Sequence, residues 1–130
     1  MKKLKRKIRI TVERTDTGYS AYSDELAVYT TGKNAESLTE NLIEALNLFF
    51  EDQGFYIDHS NLKLMMDIPQ LFRHYRVLNQ KFVARRIKMS PSLLSEYVSG
   101  SKKPSSKQTM RIAKGIHTIG QELAGLDLIE

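Results

Sequence analysis

The sequence predicts an α+β chain in two parts, an antiparallel sheet with one helix over residues 1–60 and an all-helical unit over residues 61–130. Two observations carry this expectation. The apolar period is two near the start, where Leu4, Ile8, Ile10 and Val12 share one parity, and it becomes three-and-four from Leu38 onward. The formal charge of +5 is also divided along the chain. Between Ile68 and Gly115, eleven Lys or Arg meet one acid, Glu96; between Ile10 and Ser60, two basic residues, Arg14 and Lys33, meet ten acids. Segregation of this kind points to two partners of opposite charge.

Lys5 to Arg14 reads as a strand whose outward positions are charged, which also discourages edge-to-edge pairing. Asp16, Thr17 and Gly18 supply turn chemistry, and Tyr19 to Ser23 and Leu26 to Thr31 follow as two more strands of a meander. Asn34 caps a helix running to about Asp52 and ended by Gly54, with Leu38, Leu42, Ala45, Leu46 and Phe49 on its core side. Glu36, Glu40, Glu44 and Glu51 lie together on the far side, where a solvated face is the ordinary explanation. Phe55 to Ile57 and Leu62 to Met66 can each add a strand, separated by Asp58, His59, Ser60 and Asn61, the expected boundary.

Asp67, with Gln70 three residues later and Pro69 in the first turn, opens the second half, whose first helix buries Leu71, Phe72 and Tyr75. Asn79 caps the next helix, which carries Val83, Ala84 and Ile87 on one face. Ser90 and Pro91 start the one after it, and Gly100 stops it. In that helix Leu93, Leu94, Tyr97 and Val98 face one side while Ser92, Ser95, Glu96 and Ser99 face the other, free to meet something. Ser105 or Ser106 caps a final helix to about Ala124, along which Ile112, Ile116, Ile119, Leu123 and Leu126 form a stripe. Part of that stripe closes a core and the remainder is available for self-association, so a homodimer or higher homo-oligomer is expected.

The stretch from Leu78 to Gly100 resembles the helix-turn-helix of the lambda-repressor and Cro type. The matching residues are Gln80 opening the first helix, the small Ala84 four positions on, Leu94 in the second helix, and Gly100, Lys102, Lys103 and Pro104 after it. Lys88 stands where that family usually has a turn glycine, a departure that strains the turn if its φ is positive. The resemblance implies that Gln80, Ser92, Ser95, Glu96 and Ser99 read bases. Phosphates would be met by Lys81, Arg85, Arg86, Lys88, Lys102 and Lys103. No Arg, Asn or Gln on the exposed face of the second helix offers a bidentate base contact, so each copy should discriminate weakly and bind as a dimer on an inverted repeat.

The strand-strand-strand-helix-strand order ahead of that motif resembles the HicB family of antitoxins. The residues in common are Ile8-Arg9-Ile10, Gly18-Tyr19 with Ala21, Gly32, Asn41 and Glu44-Ala45. This resemblance implies a reduced RNase-H-like domain that neutralises a small basic RNA-cleaving toxin of the HicA type, in a protein that represses its own operon through double-stranded DNA. The toxin would then be met by the acidic helix face, Glu36, Glu40, Glu44 and Glu51, or by the Asp24 and Glu25 loop, with the exposed edge of the meander as the rival surface.

Two alternatives stay open: a free-standing transcription regulator whose first domain senses a small ligand in an apolar pocket, and a metal-dependent nuclease. The nuclease needs converging carboxylates, whereas Glu13, Asp16, Asp24 and Glu25 are the only acids near strand ends and the inward positions of the first strand hold none. His59, His74 and His117 fall in different elements without metal-ligand spacing. No catalytic residue, metal site or cofactor is therefore expected. The absence of cysteine, of a membrane-length apolar run and of a signal-peptide pattern points to a cytoplasmic protein with no membrane partner.

Overall fold

A computed structural model describes residues 1–126 and divides the chain into two compact units, Met1–Asp67 and Ile68–Glu130. The first contains strands β1 (Lys2–Lys3), β2 (Ile8–Thr15), β3 (Gly18–Ser23) and β4 (Tyr29–Gly32), helix α1 (Ala35–Phe50), then β5 (Phe55–Tyr56) and β6 (Leu62–Met66). The second contains helices α2 (Ile68–His74), α3 (Gln80–Arg86), α4 (Pro91–Ser99) and α5 (Ser106–Ala124). Among the described residues no helix is long and apolar enough to cross a membrane.

The main sheet has the order β4-β3-β2-β6, and it is mixed rather than antiparallel as expected. β2 pairs antiparallel with β3 but parallel with β6, from Ile8 opposite Leu62 to Val12 opposite Met66. The reason is the crossover: the chain leaves through β3 and β4, passes along α1 and returns on the other side of β2, running the same way. A second parallel pair joins β1 to β5. The division between units consequently falls after Asp67, later than the expected boundary at 60/61, because β6 is an integral strand of the first sheet.

Local polar chemistry explains where the strands begin. Asn61 is buried, and its amide Nδ2 donates to the carbonyls of Leu4 (2.8 Å) and Arg6 (2.9 Å). The chain bends there, so β2 starts at Ile8 and not at Lys5. Ser23 Oγ accepts from the amides of Glu25 and Leu26, and the Ser23 amide donates to Val28 O, so Leu26 to Val28 are spent in a turn and β4 starts at Tyr29. The tetrapeptide 58–61 is a capped 3-10 turn in which the Asp58 side chain accepts from the Ser60 amide and the Asp58 amide donates to Asn61 Oδ1. Hydrogen bonds from the Ser60 hydroxyl and the Lys3 ammonium hold the Asp58 carboxyl below its ordinary range. Its contribution to stability is therefore present at neutral pH and fades as acid protonates it.

Core packing in the first unit gathers Ile8, Ile10, Val12, Ala21, Leu38, Leu42, Leu46 and Phe50. Phe50, not Phe49, completes the row, since the buried stripe of α1 steps by four residues from Leu38; Phe49 and Ala45 are half-buried beside it, with the two phenyl rings edge-on at 5.1 Å. Asn34 caps α1 as expected, its side chain accepting from the Ser37 amide, and Gly54 closes the following 3-10 turn at φ +78°.

In the second unit the core is formed by Ile68, Leu71, Phe72, Val83, Ala84, Met89, Leu94, Tyr97 and Ile112. Tyr75, expected inside, is 38% exposed: α2 ends at His74, which puts Tyr75 past the buried stripe of Ile68, Leu71 and Phe72. Asn79, Ser90 and Ser105 are the N-caps, accepting from the amides of Phe82, Leu93 and Gln108, and Gly100 ends α4 at φ +83°. Along α5 the stripe is buried only at Ile112, half-buried at Ile116 and Ile119, and bare at Leu123 and Leu126.

Candidate nucleic-acid interface and acidic face

α3 and α4 pack against each other with Ala84 and Leu94 fully buried, and a larger residue at 84 would push the helices apart. The turn between them contains Lys88 at φ +56°, the one positive-φ residue other than glycine among the described residues. Its amide donates to Arg85 O and the Met89 amide to Ala84 O, so the turn is closed by backbone hydrogen bonds despite the strained residue.

The face of α4 opposite Leu94 and Tyr97 is open. Ser92, Ser95 and Glu96 are exposed on it, and Gln80 is exposed at the first position of α3. Ser99 is exposed as well, but its hydroxyl donates to Glu96 O at 3.1 Å and meets the Ser101 hydroxyl at 3.1 Å. Its hydroxyl ties down the end of the helix instead of projecting freely. Lys81, Arg85, Lys88, Lys102 and Lys103 are exposed on the same unit, as a phosphate role requires. Arg86 is different. Its guanidinium is ion-paired with Glu122 on α5 and stacks 5.6 Å from the Phe82 ring centre, so it bridges α3 to α5. Sequence reasoning could not separate Arg86 from Arg85, because Glu122 is remote in the chain.

On the first unit Glu36, Glu40 and Glu44 are exposed on α1, and Glu51 is exposed in the 3-10 turn just beyond it. Leu48, 66% exposed, lies between Glu44 and Glu51 on this face, giving it an apolar contact amid the carboxylates. Asp24 and Glu25 sit in the loop between β3 and β4, where Glu25 pairs with Arg6 at 3.3 Å. The meander edge is partly closed: Asn41 Nδ2 donates to Thr31 O at 2.7 Å, occupying a carbonyl that a docking strand would otherwise use. Beside it lies an open recess of about 620 Å³ lined by residues that include Thr15, Tyr19, Ser20, Thr31 and Lys33. A smaller, more apolar cleft of about 270 Å³ lies between Leu38 and Thr39 of α1 and Leu64 and Met66 of β6.

Among the described residues no three His, Asp or Glu side chains are grouped so that they could hold a metal ion. No family model, curated protein or solved structure matches the chain.

Proposed function

We propose that the second unit is a helix-turn-helix that binds double-stranded DNA sequence-specifically, with α4 as the recognition helix. We further propose that the first unit is a HicB-like antitoxin domain that holds a small basic RNA-cleaving toxin. The observation that carries the DNA reading is the open polar face of α4, Ser92, Ser95 and Glu96, flanked by the exposed cations Lys81, Arg85, Lys88, Lys102 and Lys103. Phosphate contacts of this kind supply affinity that depends steeply on salt, while the short polar side chains read base edges. Binding of this design suits repression of the protein's own operon by a dimer on an inverted repeat.

Replacing Lys102 and Lys103 by Ala tests the electrostatic part. Affinity should fall for every duplex alike, and the slope of log affinity against log salt should flatten by roughly 2, at about 0.9 per phosphate contact. An unchanged slope would remove these lysines from the interface. Glu96→Ala tests the reading face: base preference should relax at one position of a selected site, measured by competition with single-base variants, while overall affinity holds or rises because an acid beside phosphate is repulsive.

The toxin reading rests on the acidic face of α1. Changing Glu36, Glu40 and Glu44 together to Gln should slow association with a small basic protein isolated by co-purification with this chain and reduce its salt sensitivity, with DNA binding retained, because long-range charge governs encounter more than final affinity. An association rate equal to wild type, followed by stopped flow, would discard this face as the docking surface. A ligand-sensing regulator is the second reading, favoured by the open recess that Lys33 helps to line; a small molecule that changes DNA affinity in the absence of any protein partner would establish it instead.

A further inference from the structure

Arg111 belongs to the run of cations that the charge pattern directs at DNA, yet its guanidinium is turned onto the chain itself. Nη2 donates to the carbonyls of Ile87 at 2.5 Å and Lys88 at 2.8 Å, and Nη1 reaches Gln108 Oε1 at 3.5 Å. Those two carbonyls end α3 and belong to the turn in which Lys88 sits at φ +56°. One helical turn further along α5, Gly115 lies so near the same segment that a Cβ there would stand 2.2 Å from Ile87 Cγ2. α5 thus touches the turn at two points, one charged and one steric.

We infer that Arg111 is a positioning residue for DNA recognition, clamping the α3–α4 turn through the carbonyls of Ile87 and Lys88 so that α4 presents Ser92, Ser95 and Glu96 at a fixed angle, and making no phosphate contact. This rests on the DNA-binding reading of α4. The physical basis is twofold. Carbonyls at a helix C-terminus carry partial negative charge and lack intrahelical donors, and a planar guanidinium can serve two of them at once, which a lysine ammonium on a flexible stem does less well. A left-handed Lys is also a conformation the turn leaves readily unless its surroundings hold it, whereas a glycine at 88 would adopt the same backbone unaided. The clamp matters, then, because residue 88 is not glycine.

A phosphate contact adds the same affinity to every sequence, while a clamp governs how well the reading side chains meet their bases. The two roles separate in one set of measurements on the full-length protein. Duplexes enriched by the wild-type protein from a random pool are compared with unselected duplexes, and hydrogen exchange is followed at the Lys88 and Met89 amides. Arg111→Gln and Arg111→Lys should each lower the ratio of selected to unselected affinity about tenfold, leave the salt slope unchanged and speed exchange at those two amides. Adding Lys88→Gly to Arg111→Gln should return the ratio to that of Lys88→Gly alone, since loss of the Lys88 charge affects both classes of duplex equally. Should Arg111→Gln fail to fold, Arg111→Lys and the double variant carry the comparison.

The inference is overturned if Arg111→Lys keeps the wild-type ratio, if a variant lacking the arginine charge flattens the salt slope by about 0.9 as a lost phosphate contact would, or if turn exchange is unaltered. If the wild-type protein enriches no sequence, the DNA reading itself fails, and the clamp is then decided by exchange alone: faster exchange at Lys88 and Met89 in Arg111→Lys upholds it and unchanged exchange overturns it.

Discussion

Leu94→Ala should abolish DNA binding while leaving the first unit folded. Leu94 is fully buried in α4, in a small core to which the short helices α2 and α3 and the longer α5 also contribute. Truncating a buried leucine costs about 2–5 kcal/mol, from lost transfer energy and the cavity left behind. A unit of this size holds only about 3–9 kcal/mol of net stability, so the loss consumes much or all of it. Thermal melting of the full-length variant should show one early transition and one at the wild-type position of the first unit, because the two units have separate cores. Retained duplex binding at 37 °C would show that α4 is held by something other than its buried face.

Gly32→Ala should do the reverse. Gly32 ends β4 just ahead of the α1 cap, and a Cβ there would stand 2.4 Å from the Leu38 amide nitrogen and 2.5 Å from its Cα. Both are backbone atoms of α1, so no side-chain rotation relieves the clash, and the helix must move off the sheet that it covers with Leu38, Leu42 and Leu46. The expected cost is about 3 kcal/mol, the upper end of ordinary overpacking. Binding of the basic partner should be lost with DNA binding retained, and denaturant unfolding followed at Tyr19 and Tyr22 should shift to lower midpoint. Together with Leu94→Ala this forms a double dissociation, in which each activity fails with its own unit.

Local chemistry was legible in the sequence, and remote chemistry was not. Asn34, Asn79, Ser90 and Ser105 act as caps because the amides they accept from lie three residues away, a relation the sequence displays directly. The open face of α4 followed from helical periodicity in the same way, as did the exposed carboxylates of α1. The parallel partnership of β6 with β2 was hidden, since nothing in Leu62–Met66 names a strand at the far end of the unit. Asn61, Arg86 and Arg111 were misjudged or overlooked for one shared reason. Each is a polar side chain whose partners lie far off in sequence, at Leu4 and Arg6, at Glu122, and at Ile87 and Lys88. The resemblance gave Arg86 a phosphate and Arg111 had no role in the sequence beyond its charge, whereas the two guanidiniums meet Glu122 and the Ile87 and Lys88 carbonyls.

The crossover from β4 through α1 to β6 also dictates a timetable for synthesis. β2 leaves the ribosome well before one of its two flanking strands, which is the last piece of the unit to be made. Until Leu62–Met66 emerges, the backbone groups along one side of Ile8–Val12 have no ladder to join, and the nascent meander carries an unfinished edge beside apolar side chains. Completion of the first unit therefore coincides with the appearance of α2, so the sheet unit is finished before the helices of the second half can assemble.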